Sequence, residues 1–247
     1  MANCSDVKAK RRTKDDRPMP KADWQRYWRQ EHRYHSISVL GADGREYRAS
    51  EAVKAKKIIL NLKVGIDPSV VPVVMSGIRE MITDIGVFGF TIVPSVDHAS
   101  VKLLEAATTP DGRLDCYKLR ELIVSEHVRE PQLFGPHADV IITDQRFMHG
   151  ETDRSEDWGF ASFPYGLMVI TIKDRRDLDE SALEFFKKMA KHETGHLLGF
   201  DEHHDSTSAD GYRLTEKCVM LWEASTRVVC EKCLDGMKQF WRGFENF

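Results

Sequence analysis

The sequence predicts an α/β layer structure in which a metal-binding helix crosses behind a mixed sheet. Segments with the composition of strands alternate along the chain with long segments of helical periodicity, and such alternation is typical of layered α/β folds. One helical segment carries two histidines four positions apart, a spacing that suits metal ligands. Three cysteines near the carboxyl end of the sequence predict a second, smaller metal-bound unit.

The individual elements follow from local patterns. Strands are expected at 57–64, 89–93, 138–144 and 167–172, and helices at 69–85, 114–128 and 182–198. Pro68 and a Pro-Asp-Gly turn precede the first two helices, and Pro94 is expected to end the second strand. The third helix begins with a capping-box pattern, in which Ser181 would accept a hydrogen bond from the amide of Glu184.

The end of this third helix carries a His-Glu-x-x-His motif. Residues four apart lie on one helical face, so His192 and His196 can direct two imidazoles at one metal ion. Glu193 lies beside them, where it can hold a water molecule without being a ligand. Gly199 offers a left-handed turn that ends the helix and returns the chain beneath the metal.

Three possible third ligands follow that turn, namely Glu202, His203 and His204. Zinc held by three protein groups with one open position is typical of a hydrolase. The pattern therefore predicts a zinc-dependent metallopeptidase that hydrolyses peptide bonds with a zinc-activated water and with Glu193 as general base. The alternative is a non-catalytic, zinc-stabilised binding module in which both metals are structural.

The cysteines predict a second zinc site. Cys230 and Cys233 have the spacing of a zinc-knuckle half-site, and Cys218 lies upstream of them. Three thiolates need one further ligand, which His203 or His204 can supply. A redox dithiol is the rival interpretation of the Cys230/Cys233 pair. Two other cysteines, at positions 4 and 116, are expected to be inert.

The order of these motifs, with Met220 two residues after Cys218, resembles the archaemetzincins. The likeness runs from about Tyr34 to Trp241 and includes the segments 157–161 and 166–171. It implies a zincin/metzincin-like mixed sheet with an active-site helix, a catalytic and a structural Zn²⁺, and an aminopeptidase-like or short-peptide activity. From its composition and the layout of its motifs, the sequence is also expected to form three regions: a disordered leader at 1–30, a zincin-like subdomain at 31–200, and a carboxy-terminal subdomain at 201–247 that holds the methionine turn and the cysteine site.

The third catalytic ligand has two possible assignments. The archaemetzincins place a histidine three residues after the glycine, directly followed by a cysteine, whereas this chain has Glu202 and His203 there. Without an insertion, Glu202 binds the catalytic zinc and His203 the structural zinc. With one extra residue in the turn, His203 is catalytic and His204 structural. We favour the second register because a neutral imidazole suits a site that polarises water.

Composition limits the remaining functions. The 247 residues include 36 basic and 39 acidic side chains, a net charge of −3, which gives no reason to expect nucleic acid or an anionic membrane as partner. No apolar run approaches a membrane span, and the amino-terminal segment lacks the apolar core of a secretory signal. We therefore expect a cytoplasmic monomer acting on a peptide or protein substrate. The stretch 160–171 is predicted to be either a substrate-binding edge or an ordinary hairpin edge.

Overall fold

The computed structural model describes residues 36–40, 46–95, 99–129, 137–162, 165–173, 178–200, 218–221 and 226–244. The predicted leader at 1–30 and the three possible third ligands, Glu202, His203 and His204, lie outside the described residues. The choice between the two ligand registers therefore stays a prediction.

Sixteen elements are present in the described part of the chain. The strands are β1 (Ser36–Leu40), β2 (Glu46–Ser50), β3 (Lys57–Leu62), β4 (Thr91–Ser95), β5 (Leu114–Asp115), β6 (Ala138–Thr143), β7 (Phe147–His149), β8 (Thr152–Arg154), β9 (Gly159–Ser162) and β10 (Leu167–Thr171). The helices are α1 (Glu51–Lys54), α2 (Val70–Ile85), α3 (Ala99–Ala107), α4 (Cys116–Arg129), α5 (Glu180–Leu197) and α6 (Glu231–Phe244).

A five-stranded mixed sheet lies at the centre, with strand order β4-β3-β6-β10-β9. The first four strands are parallel, and β9 pairs antiparallel with β10. Strands β6 and β10 are buried along their whole length, as expected for parallel strands covered on both faces. The predicted α/β class with a mixed sheet is therefore confirmed.

Apolar side chains cover the two faces of this sheet with different elements. One core cluster joins the sheet to α2, α5 and α6 and includes Ile58, Phe186 and Phe240. The other cluster joins the opposite face to α3, α4 and the small sheet β5-β7-β8, and it includes Phe147. Because Cys218, Met237 and Trp241 share the first cluster, the described carboxy-terminal residues pack against the same core as α5. The division of the chain at residue 200 stays a prediction.

Helix α5 is held closely against α2. A Cβ atom placed on Gly77 of α2 would lie 2.3 Å from the carbonyl oxygen of Lys187, so only glycine permits this approach. Two ion pairs follow the same seam, Lys187 with Glu80 at 2.6 Å and the buried Lys191 with Asp84 at 2.6 Å. This packing fixes the helix that carries the metal-binding motif.

Several predicted details were wrong. Pro94 lies within β4 instead of ending it, because β4 is at the edge of the sheet among the described strands, and an edge position needs no amide donor on its outer side. Asp179, not Ser181, caps α5, and its carboxylate accepts the amide of Ala182 at 2.7 Å. Leu114 begins a short strand rather than a helix. The predictions also omitted the helices α1, α3 and α6 and the strands β1, β2, β7, β8 and β9. No helix among the described residues is long and apolar enough to cross a membrane.

Candidate metal centre

The last two turns of α5 place three functional side chains in the interior. His192, Glu193 and His196 are all buried, with 6–8% of each residue exposed. Burial of polar side chains at the end of a helix has a cost unless they have partners. The partners of the two imidazoles define the site.

The Nε2 atoms of the two histidines lie 3.2 Å apart. The Nδ1 atom of His192 lies 2.6 Å from the carbonyl oxygen of Val219, and that of His196 lies 2.5 Å from the carbonyl oxygen of Phe200. A carbonyl oxygen only accepts, so both Nδ1 atoms carry the proton in a neutral ring, and both Nε2 lone pairs face the same point. Two nitrogen ligands about 2.0–2.1 Å from a tetrahedral zinc lie about 3.3 Å apart, so this pair fits the metal.

The turn after α5 orients His196. The predicted turn at Gly199 is confirmed, since this residue has a φ of 124°, a backbone angle that residues other than glycine rarely adopt. The turn lets the amide of Phe200 donate to the carbonyl of Gly195 at 2.9 Å while the Phe200 carbonyl accepts from His196. The carbonyl of Leu198 accepts from the indole of Trp241 on α6 at 2.8 Å, so the last helix also fixes this turn.

Glu193 packs against the edge strand β9. A Cβ atom on Gly159 would lie 2.3 Å from Oε1 of Glu193, so the glycine provides the space for this carboxyl group. Burial, together with the nearby negative charge of Asp157, raises the pKa of Glu193 to about 8. A divalent cation held by the two histidines would lower the pKa of Glu193. A carboxyl group whose pKa lies near neutrality is suited to moving a proton.

Met220 lies beneath the histidine pair. A Cβ atom on Gly195, between His192 and His196 on the helix, would lie 2.4 Å from the sulfur of Met220. The preceding residue, Val219, supplies the carbonyl that orients His192. The expected methionine turn is therefore packed against the helix that carries the two histidines.

The three predicted cysteine ligands come together. Cys218, Cys230 and Cys233 are buried free thiols whose sulfurs lie within 4.8 Å of one another. The sulfurs of Cys218 and Cys233 are 3.8 Å apart, and thiolates 2.3 Å from a tetrahedral zinc lie about 3.8 Å apart. The donor set therefore fits zinc, with a fourth ligand still to be supplied.

Hydrogen bonds favour the thiolate form of one of these cysteines. The Cys233 thiol and the backbone amides of Cys230 and Met220 lower the pKa of Cys218 to about 5. The Cys230 amide lies 3.4 Å from the Cys218 sulfur. Cys230 directly precedes helix α6 and Cys233 lies in its first turn, a placement that redox cysteine pairs also have. The third thiol at 3.8 Å nevertheless favours a metal site over a two-thiol redox centre.

Sequence reasoning missed the groups that orient the two histidines. The carbonyls of Val219 and Phe200 are backbone groups and have no side-chain signal in the sequence. Gly159 lies in a segment that carried the archaemetzincin resemblance, but its contact with Glu193 was not predicted. Of the stretch predicted as a substrate-binding edge, β9 lies at the sheet edge among the described residues and β10 lies inside the sheet, and substrate binding there stays a prediction.

The fold is similar to that of a solved zinc-dependent peptidase and to that of a solved archaemetzincin. The crystal structure of a zinc-dependent peptidase from Methanocorpusculum labreanum superposes with a TM-score of 0.54 and 18% identity, covering 73% of this chain and 99% of that one. The crystal structure of an archaemetzincin from Methanopyrus kandleri gives a TM-score of 0.54 and 17% identity, covering 75% of this chain and 95% of that one. The chain therefore has the archaemetzincin fold, as its motifs predicted. No protein-family model and no curated protein sequence matches the chain.

Proposed function

We propose that this protein is a zinc-dependent metallopeptidase that hydrolyses peptide bonds in peptide or protein substrates. The observation that carries the proposal is the pair of Nε2 atoms 3.2 Å apart, each on a ring oriented by a backbone carbonyl, with the buried Glu193 beside them. Both solved structures of the same fold support it, since one is described as a zinc-dependent peptidase and the other as an archaemetzincin.

Two zinc ions complete the proposed enzyme. His192 and His196 would hold the catalytic ion together with His203, or with Glu202 in the other register. Cys218, Cys230 and Cys233 would hold the structural ion together with His204, or with His203 in the other register. When bound, the catalytic ion supplies Lewis acidity, which polarises a peptide carbonyl and lowers the pKa of a water molecule.

Glu193 has the role of general base. Its carboxylate accepts the proton of the attacking water and returns it to the leaving amine. Burial against Gly159 restricts the carboxylate to one side of the helix, facing the edge strand.

The edge strand β9 is the proposed binding site for the substrate backbone. Among the described residues, β9 has a pairing partner on one side, β10, so its outer edge can pair with an extended peptide through main-chain hydrogen bonds. Because Gly159 of β9 contacts Glu193, a peptide on this edge lies next to the general base. We extend the proposal to short peptides and to an aminopeptidase-like activity on the archaemetzincin resemblance.

The alternative, a non-catalytic zinc module, has no use for Glu193. A structural zinc site needs four protein ligands and no buried carboxylate next to the first of them. Burial of a carboxyl group also destabilises the fold, because its ionised form is poorly solvated, and a purely structural site gains nothing in return. The position of Glu193 therefore favours the enzyme.

Glu193→Gln tests the proposed function. The zinc-loaded variant should retain both ions and the wild-type melting temperature, because Glu193 is not a ligand, and its turnover of peptides should fall by at least about 100-fold. Glu184→Gln, on the same helix but with a half-exposed side chain, is the matched control and should keep full turnover. Loss of zinc from Glu193→Gln, or unchanged turnover, would contradict the role of Glu193. If the wild type cleaves no member of a broad peptide library, the metallopeptidase proposal is wrong.

A further inference from the structure

A cluster of cationic and aromatic side chains lies beside β9, on the sheet face opposite α5. We call it the β9 cluster, and it consists of Tyr117, Arg120, His149, Arg154, Phe160 and Tyr165. These residues come from α4, from the hairpin β7–β8, from β9 and from the segment that leads into β10. Neither zinc site uses any of them.

Ring contacts hold the cluster together. The rings of Tyr117 and His149 are stacked with centroids 4.9 Å apart, and the ring of Phe160 meets the His149 ring edge-on at 5.0 Å. The guanidinium of Arg120 lies 4.8 Å from the Tyr117 ring centroid and 5.1 Å from that of Tyr165. Cation–π contacts of this kind hold a guanidinium in place without neutralising its charge.

The two arginines in the cluster have no carboxylate partner in the described part of the chain. Neither Arg120 nor Arg154 forms an ion pair there, and the Nε atoms of both are buried without a hydrogen-bond acceptor. The Nε2 atom of His149 is also buried without a partner among the described residues. Buried polar atoms are nearly always hydrogen-bonded, so three unsatisfied nitrogen atoms in one cluster indicate a site for a ligand with hydrogen-bonding groups.

The nearest acids are already engaged or lie farther away. Asp115 accepts the backbone amides of Tyr117, Lys118 and Gly150 at 3.0–3.2 Å, and Asp153 pairs with Arg113 at 3.3 Å. Arg154 acts on Asp157 only through a longer-range attraction, without an ion pair. Burial, assisted by Arg154, lowers the pKa of His149 to about 4, so this ring is neutral at pH 7 and can donate one hydrogen bond. The cluster therefore has an excess of donors.

The register of β9 links the cluster to the substrate edge. Phe160 pairs with Val169, whose side chain belongs to the core cluster on the α4 side, so Phe160 faces α4. Gly159 pairs with Ile170 and faces α5 and Glu193. Directly paired residues on neighbouring strands share a face. A peptide paired with β9 would therefore direct the side chain opposite Gly159 towards the metal and the adjacent side chain towards the β9 cluster.

We infer that the β9 cluster is a specificity subsite that binds a carboxylate of the substrate peptide. The inference rests on the proposed peptidase function, since it takes β9 as the substrate edge. The guanidinium groups of Arg120 and Arg154 and the neutral imidazole of His149 are hydrogen-bond donors, and hydrogen bonds that they make to a carboxylate are charge-assisted. The neighbouring aromatic rings reduce the access of water to this site, which strengthens such bonds. The carboxylate belongs either to an aspartate or glutamate side chain or to the carboxyl terminus of a short peptide, and both have the same chemistry.

A set of four peptides tests this subsite and separates the two sources. Each peptide has the same neutral sequence, with aspartate or asparagine at one scanned position, and ends in a free carboxylate or an amide. The peptides are compared in two kinds of pair, aspartate against asparagine and free carboxylate against amide. For the zinc-loaded wild type, kcat/KM should be about 10- to 100-fold higher for the carboxylate-bearing peptide in one of these two comparisons. A preference within the aspartate/asparagine pair identifies a side-chain carboxylate, and one within the acid/amide pair identifies the carboxyl terminus.

Three variants assign this preference to the cluster. Arg120→Met and Arg154→Met keep most of the side-chain volume but remove the charge. In each variant, the ratio of kcat/KM between the carboxylate-bearing peptide and its neutral counterpart should fall towards one. Arg113→Met is the matched control, because Arg113 pairs with Asp111 and Asp153 outside the cluster, and the preference should persist. Circular dichroism melting curves establish that each variant is folded. A wild type that cleaves all four peptides equally, or a preference that survives both cluster variants, would overturn the subsite and leave the peptidase proposal intact.

A binding measurement covers the case in which no peptide is cleaved. Fluorescence anisotropy of the same four labelled peptides, added to the zinc-loaded protein, measures affinity without turnover. Tighter binding of a carboxylate-bearing peptide that is lost in Arg120→Met supports the carboxylate site even though the peptidase proposal has failed. Equal affinity for all four peptides overturns the site, and the aromatic contacts then serve only to stabilise the fold.

Discussion

His192 and Val219 connect the two predicted metal sites. The Nδ1 atom of His192 donates to the carbonyl oxygen of Val219 at 2.6 Å, and Val219 directly follows Cys218 of the cysteine site. The next residue, Met220, packs against Gly195 on the same helix. One turn of three residues therefore provides a thiolate for one site, the orienting carbonyl for the other, and the packing between them.

We expect damage to the cysteine site to weaken zinc binding at the histidine pair. In Cys218→Ser the serine is a weaker zinc ligand, so the turn should become less well fixed. The hydrogen bond from His192 to the carbonyl oxygen of Val219 should then weaken. Partners that orient a metal-bound histidine typically contribute 10- to 100-fold in affinity, so the dissociation constant of the catalytic zinc should rise by about that factor. Competition with a fluorescent zinc chelator measures it. Cys116→Ala, which removes a buried thiol that is not part of the cysteine site, is the control and should leave the dissociation constant of the catalytic zinc unchanged.

The protein should bind two zinc ions with different affinities. Thiolates bind zinc tightly and a closed four-ligand site exchanges slowly, whereas a three-ligand site open to water exchanges faster. Mild chelation should therefore remove one ion and all activity without unfolding, and stronger chelation should then lower the melting temperature. Elemental analysis during stepwise dialysis follows both stages. A single zinc ion in freshly purified, undialysed protein would contradict the two-site prediction.

Local spacing explains which parts of the site were predictable from sequence. His192 and His196 are one helical turn apart, and Cys230 and Cys233 are three residues apart, so each pair converges whatever the rest of the chain does. Cys218 joins its two partners only through the fold, and it was predicted by its motif rather than by geometry.

The contacts that were not predictable are those between distant backbone groups. The carbonyl of Val219 reaches His192 across 27 positions of the sequence, and any residue type could supply it. Gly159 meets Glu193 because β9 lies at the sheet edge, and the position of an edge depends on strand order rather than on local sequence. Asp179 replaced the predicted cap Ser181 because aspartate and serine cap helices about equally well, and tertiary packing decides between them.

Gly159→Ala should impair catalysis while leaving both metals bound. The new Cβ atom would lie 2.3 Å from Oε1 of Glu193, so the carboxyl group must move away from its position. Displacement of a catalytic group by about 1 Å can cost about 100-fold in rate, and we expect kcat to fall by that order with little change in zinc content. Steady-state kinetics and elemental analysis measure the two effects. Gly243→Ala is the control, because a Cβ atom there meets no atom within 4 Å, and kcat should stay at the wild-type value.

The triplet Glu202, His203 and His204 can be resolved by separating activity from stability. Removal of the third catalytic ligand should release one zinc ion and abolish activity while the cysteine site stays filled. Removal of the fourth structural ligand should lower the melting temperature and expose Cys218, Cys230 and Cys233 to thiol reagents. Elemental analysis, melting curves and thiol titration of the three alanine variants therefore give two distinct signatures.

In the favoured register, His203→Ala is inactive but stable, and His204→Ala is the unstable variant with reactive thiols. Glu202 is then a turn residue, and its replacement by alanine should change the free energy of unfolding by no more than about 0.5 kcal/mol. In the other register, Glu202→Ala is inactive and His203→Ala exposes the thiols. That second pattern would show that the turn after Gly199 contains no extra residue and that a carboxylate completes the catalytic site.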